Sequence, residues 1–214
     1  MNKFKKKLFF DFTKIHNPIQ NDLIKIFSNH IKKSDFTLGE SVLKFEKNFS
    51  EYIGTKYAIA VNSGTAALHL ALEVLDIRDG DEVITTPFTF AATSNVIIMQ
   101  NAKPVFVDIE PETFNLDPLK IESSISSKTK AIMPIHYGGS SAGIEEVYNL
   151  SIKYSLNVVE DAAHSFGSSR KEFPLDFIDE IVCFSFDGIK NITSGEGGAI
   201  VTSDIALLER LKDG

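Results

Sequence analysis

Tyr57-Ala58-Ile59-Ala60-Val61-Asn62-Ser63-Gly64-Thr65-Ala66-Ala67-Leu68 passes from an apolar run straight into a helix start. The apolar run Tyr57–Val61 has the length of a buried strand, and Asn62-Ser63-Gly64 then open a helix predicted over Thr65–Leu75. A strand that hands its chain to a helix so abruptly is half of a βαβ unit. The alternation continues downstream. Strand-like runs recur at Glu82–Thr85, Pro104–Ile109, Lys130–Ile135, Leu156–Glu160, Ile181–Phe186 and Gly198–Thr202. Helix-like segments fall between several of them, at Ala92–Gln100, Leu119–Ile125 and Gly143–Tyr154. Short apolar runs separated by helices predict an α/β fold built on a mostly parallel seven-stranded sheet flanked by helices. In such sheets ligands gather beyond the carboxyl ends of the strands.

Upstream, the texture is helical. Leu23, Ile24, Ile26, Phe27 and Ile31 recur at near-helical spacing after Asn17-Pro18, and Val42, Leu43, Phe45, Phe49 and Tyr52 do so again before Gly54. The 214 residues are 43% apolar and 24% charged, a composition that excludes disordered, collagen-like and coiled-coil classes. A net charge of −7 offers no basic face to nucleic acid. Lysines near the start are followed only by Leu8-Phe9-Phe10 before Asp11, too short a run for a signal peptide. No stretch approaches the ~18 apolar residues of a membrane span. Cys183 is the single cysteine, so no internal disulfide forms. These features predict a cytoplasmic protein without a membrane or nucleic-acid partner.

Four segments that follow strands offer chemistry. Ser63, Gly64 and Thr65 at a helix start present backbone N–H groups, hydroxyls and the positive end of the helix dipole, which suits a phosphate; a plain N-cap is the blander alternative. Glu160-Asp161-Ala162-Ala163-His164 places an acid at a strand's carboxyl end, able to pair with a cationic ring nitrogen, with His164 three residues on. An N-capping Asp and a core His are the alternatives there, and no recognised metal-ligand spacing links Asp161, His164 and His136. Ser185 adds a hydroxyl, and Lys190 lies just beyond the Ile181–Phe186 run in a glycine-rich turn. Desolvation there favours an amine nucleophile, against the usual solvated lysine. Finally, Pro87-Phe88-Thr89-Phe90 supplies aromatic faces for a planar ring or for core packing.

Together these segments supply a phosphate cradle, a carboxylate for a ring nitrogen, an aromatic face and a carbonyl-reactive lysine. Those are the requirements of pyridoxal 5′-phosphate. The sequence contains neither G-x-G-x-x-G for a dinucleotide nor G-x-x-x-x-G-K-[ST] for a nucleoside triphosphate.

From about Phe36 onward the chain resembles the DegT/DnrJ/EryC1/StrS sugar aminotransferases. The resemblance is carried by Thr37-Leu38-Gly39-Glu40, Tyr52-Ile53-Gly54, the Asn62–Leu68 and Pro87–Phe90 blocks, Val107-Asp108-Ile109 and Pro134-Ile135-His136-Tyr137-Gly138-Gly139. Glu160–His164 and Phe184-Ser185-Phe186 with Lys190 and Gly195-Glu196-Gly197-Gly198 complete it. It implies the type I aminotransferase fold. Lys190 corresponds to the lysine that forms the internal aldimine and shuttles the proton, Asp161 to the partner of the pyridine nitrogen, and His164 to the residue beside the ring hydroxyl. Gly64, Thr65 and Ser185 correspond to phosphate ligands, and Phe90 to the stacking aromatic. The resemblance also implies a nucleotide-linked keto-sugar as substrate, glutamate as donor, and a homodimer with the active site at its interface.

Two departures from the family pattern stand out. The usual glycine-rich stretch is replaced by Lys171–Glu180, and the position three before the lysine, often His, is Asp187. Residues 1–35 are expected to form an N-terminal helical segment and 36–214 the cofactor-binding large domain, without the smaller C-terminal domain of family members. A truncated, catalytically incompetent chain is therefore one alternative. The related sugar dehydratases are another, but they replace the lysine that Lys190 retains. A DNA-binding regulator lacks any helix-turn-helix signal.

Overall fold

A computed structural model describes residues 12–168 and 181–213, in two compact units that divide between Phe45 and Glu46. In the first unit, helix α1 (Thr13–His16) leads through a 3₁₀ turn at Asn17–Ile19 into α2 (Gln20–Lys33). Ser34, in the left-handed conformation, ends α2 by returning its N–H toward Ile31 O. The apolar residues of α2 predicted from their spacing do share the helix, but none of them is buried. Helix α3 (Glu40–Ile53) begins in this unit and ends in the next.

The second unit is built on a seven-stranded sheet. Its strands are β1 (Tyr57–Val61), β2 (Glu82–Thr85), β3 (Lys103–Phe106), β4 (Thr129–Ile132), β5 (Asn157–Asp161), β6 (Ile181–Ser185) and β7 (Gly198–Thr202), in the spatial order β1-β7-β6-β5-β4-β2-β3. Pairings β2–β3, β2–β4, β4–β5 and β5–β6 are parallel; β7 runs antiparallel to both β6 and β1. Six strands therefore share one direction and β7 alone is reversed. Helices α4 (Gly64–Val74), α5 (Ala92–Met99), α6 (Pro118–Ile121), α7 (Ile144–Tyr154) and α8 (Ile205–Asp213) complete the unit.

Strand alternation divides the core. Ile181 and Cys183 of β6 face Leu68, Leu72, Val96 and Ile97 from α4 and α5, whereas Val182 and Phe184 face Phe49 of α3. Ile84, Ile132 and Val158 pack with Ile121, Ile144 and Val147 of α6 and α7. Burial on both faces explains why these strands read as continuous apolar runs rather than as alternating ones.

Three expected elements end three or more residues early. β3 stops at Phe106 and β4 at Ile132, yet the chain stays extended, since Ile109 bridges Leu116 and Ile135 bridges Asp161. The Leu119–Ile125 helix shrinks to α6, capped by Asp117 on Leu119 N–H, followed by a 3₁₀ turn at Glu122–Ser124. The Lys171–Glu180 departure lies outside the described residues. No helix among the described residues is long and apolar enough to cross a membrane.

Candidate active site

The carboxyl ends of β1, β2, β4, β5 and β6 meet at one edge of the sheet, where the reversed β7 contributes its first residue instead. A cavity of about 240 Å³ lies there, and Gly64, Thr65, Phe90, Asp161, His164, Ser185 and Lys190 all line it. The residues singled out from four separate stretches of sequence are thus neighbours in space.

The start of α4 forms one wall. Ser63 caps the helix, its hydroxyl accepting from Ala66 N–H at 3.1 Å. Helix geometry leaves the N–H groups of Gly64 and Thr65 without an intrahelical acceptor. Two glycines allow this helix start to meet Ser185. In the sheet, Gly198 of β7 sits between Val61 and Ser185, paired with both. A Cβ on Gly198 would stand 2.5 Å from Ser63 O, and one on Gly64 would stand 2.7 Å from Ser185 Cβ. Side chains at either position would push the helix start away from the Ser185 hydroxyl.

Asp161 closes β5 with its carboxylate buried and held at both oxygens. Thr93 Oγ1 donates to Oδ2 at 2.7 Å, and Ala163 N–H reaches Oδ1 at 3.2 Å. Thr93 shares a further hydroxyl contact with Thr89, at 3.0 Å. His164 follows on the next turn. Burial of part of its ring pushes its pKa below the ordinary value, the Lys190 ammonium adds to that, and the Asp161 carboxylate opposes it. Lys190 sits in a turn where its N–H donates to Asp187 O and the Asp187 carboxylate accepts from Ile189 N–H, both at 3.0 Å. Phe90 is 74% exposed while lining the cavity, so its ring face is open to a ligand. Asp187 and Glu196 also border the space.

Beneath the site runs a buried polar network. Glu160, fully buried, bonds His136 Nε2 through one oxygen and Tyr148 OH through the other. The backbone N–H of His136 donates to Asp161 O at 3.1 Å, tying the loop after β4 to the end of β5. The sequence reading missed the partnership of Thr93 with Asp161 and the role of Glu160. The only signals were a Thr in an apolar helix and an acid inside an apolar strand. Cys183 takes no part: burial pushes its thiol well above the ordinary value, which keeps it protonated and inert. Among the described residues no group of three His, Cys, Asp or Glu side chains could hold a metal ion.

The sequence pattern of the DegT/DnrJ/EryC1/StrS aminotransferase family matches residues 17–213. The chain is 43% identical over 174 residues to the spore coat polysaccharide biosynthesis protein SpsC of Bacillus subtilis, covering 81% of this chain and 45% of that protein. It is 42% identical over 176 residues to the GDP-perosamine synthase of Caulobacter vibrioides, covering 82% and 47%. Among solved structures, NtdA of Bacillus subtilis with bound cofactor PMP superposes with a TM-score of 0.89 at 32% identity, over 98% of this chain and 48% of NtdA. The chain spans about half the length of the curated relatives it matches. With the fold, the sequence pattern and these relatives in agreement, the chain belongs to the DegT/DnrJ/EryC1/StrS aminotransferase family.

Proposed function

We propose that this chain is the cofactor-binding portion of a pyridoxal 5′-phosphate-dependent sugar aminotransferase. It acts in the cytoplasm as a homodimer and transfers an amino group from glutamate to a nucleotide-linked keto-sugar. The observation that carries this reading is the shared cavity, in which a lysine, a buried carboxylate, a histidine and an open aromatic face surround a capped helix start. The names of the two relatives, a polysaccharide biosynthesis protein and a nucleotide-sugar synthase, support the sugar.

The donor set fits the cofactor. Gly64 and Gly198 keep open the space where the Gly64 and Thr65 N–H groups and the Thr65 and Ser185 hydroxyls would hold a phosphate. Asp161 would hold the ring nitrogen, His164 would stand beside the ring hydroxyl, and Phe90 would cover the ring. Pyridoxal phosphate, when bound, supplies an aldehyde that takes up amines and a ring that accepts an electron pair. The chain's residues supply the rest. Lys190 Nζ would take the proton from the donor's α-carbon and hand it to the carbon that carries the cofactor's aldehyde. Asp161, fixed by Thr93 and Ala163, would favour a proton on the ring nitrogen. His164, kept neutral by burial and by Lys190, serves as a hydrogen-bonding group rather than a second cation.

Adding pyridoxal phosphate to the purified chain tests this directly. A visible absorbance band that borohydride fixes, and that Lys190→Ala lacks, is the expected result. Glutamate should then bleach the band in the full-length protein, and a nucleotide-linked keto-sugar should restore it. A band that persists in Lys190→Ala would sink the assignment of the lysine. Failure of every 3- and 4-keto-sugar to restore the band would sink the sugar.

A further inference from the structure

Beside the cavity, the loops that follow β2, β3 and β4 bring three aromatic rings together. Phe88 stacks on Phe114 with centroids 5.6 Å apart, and Tyr137 meets Phe88 at 4.9 Å and Phe114 at 5.8 Å. Phe88 and Phe114 remain 42% and 45% exposed, so the cluster is not a sealed core. Tyr137 also stands edge-on to His164, which lines the cavity, with centroids 6.0 Å apart, so the shelf adjoins the cavity through that one ring contact. Two devices hold it in place. Asn115, buried, donates to Ser140 O at 2.9 Å and Ala142 O at 3.1 Å and accepts from Tyr137 N–H at 2.9 Å, pinning the Tyr137 loop. Phe114 is held at φ +61°, a left-handed backbone that bulky residues rarely adopt. Its N–H bonds Glu110 O, and Glu110 N–H bonds Asn115 O, each at 2.9 Å.

We propose that Phe88, Phe114 and Tyr137 form a subsite that packs against the nonpolar face of the substrate's sugar ring. This rests on the reading of the cavity as a sugar aminotransferase site. Backbone strain that keeps a ring half exposed beside a reactive centre points to a contact made with ligand. Position and charge select the sugar. A ketone carbon within reach of Lys190 and His164 leaves the rest of its ring against Tyr137, and C–H groups on one face of a pyranose suit the negative face of an aromatic ring. A diphosphate fits poorly. Among the described residues no lysine or arginine stacks on these rings, and Glu110, beside Phe114, is kept ionised by its bond with Thr113.

Saturation-transfer NMR on the full-length protein tests the subsite, with UDP-N-acetylglucosamine, GDP-mannose and dTDP-glucose as probes. Irradiated aromatic protons should pass magnetisation to the sugar-ring protons of at least one probe. The informative variant is Phe114→Gly, which relieves the left-handed backbone while removing the ring's contacts with Phe88 and Tyr137, and urea unfolding checks that it stays folded. It should bind that probe roughly three- to tenfold more weakly, with the donor's KM unchanged. Affinity within about twofold of the parent, transfer to base protons alone, or no transfer from any probe would overturn the subsite. So would loss of dimer at unchanged affinity, which would make the shelf a contact between copies. Probe binding through the shelf without amino transfer would overturn only the proposed activity. Amino transfer with an unchanged sugar KM in Phe114→Gly would overturn only the shelf.

Discussion

His164 stands between opposing charges, and its titration reports both. Its folded-state pKa lies below the ordinary 6.5 because of burial first and Lys190 second, with Asp161 acting against them. The folded chain therefore resists a proton that the unfolded chain accepts. Stability is unaffected above neutrality and falls as the pH drops from about 6.5 through the folded pKa. Ring-proton NMR should show Lys190→Met raising this pKa and Asp161→Asn lowering it; an unmoved titration in both would contradict the arrangement. At Gly64 the constraint is steric. Gly64→Ala brings a methyl to 2.7 Å from Ser185 Cβ and 3.3 Å from Ser185 Cα, so backbone must shift. We expect a loss of about 1–3 kcal/mol in urea unfolding, together with weaker cofactor binding. Lys190 and Asp161 could be placed at the cavity from sequence because each lies at or just past the end of a recognisable strand. Thr93 could not, since a hydroxyl in a helix bonds to Asp161 only once α5 and β5 are brought together, 68 residues apart in sequence.

Among the elements, α4 contributes most to the site because its first turn faces the cavity. Replacing the cap, Ser63→Ala, frees the Ala66 N–H and should cost about 1 kcal/mol in urea unfolding while leaving the sheet intact by circular dichroism. The central strands β6 and β7 were visible as short apolar runs because burial on both faces leaves no polar alternation to obscure them. The edge strand β3, with its ends exposed, was visible from Pro104-Val105-Phe106 alone. Strand ends were less visible. Residues such as Ile135 are apolar and extended but lack a continuous ladder, and apolarity alone does not distinguish pairing from extension. The reversal of β7 carried no local signature. Gly198–Thr202 is as apolar as the parallel strands, and only its antiparallel pairing with β1 and β6 shows its direction.

At the scale of the whole chain, Leu23, Ile24, Ile26, Phe27 and Ile31 of α2 are all exposed. Uncovered apolar surface of this kind binds hydrophobic dyes and promotes association. The purified 214-residue chain should enhance ANS fluorescence and self-associate on sedimentation, and Phe27→Gln with Ile31→Gln should reduce both. Dye binding unchanged by that pair would place the apolar surface elsewhere. The reversed strand has a further consequence, one of timing. Among the described residues β1 is the first strand to be synthesised, and its neighbour in the sheet is β7, the last of them. At ribosomal speeds of roughly 5–20 residues per second, β1 waits on the order of ten seconds for its partner to emerge. The nascent protein passes that interval with one edge of its sheet unfinished and the Gly198 side of its cavity unassembled. Arrested chains ending before Gly198 should thus be cut by protease near Tyr57–Val61, and chains extending past Thr202 should resist.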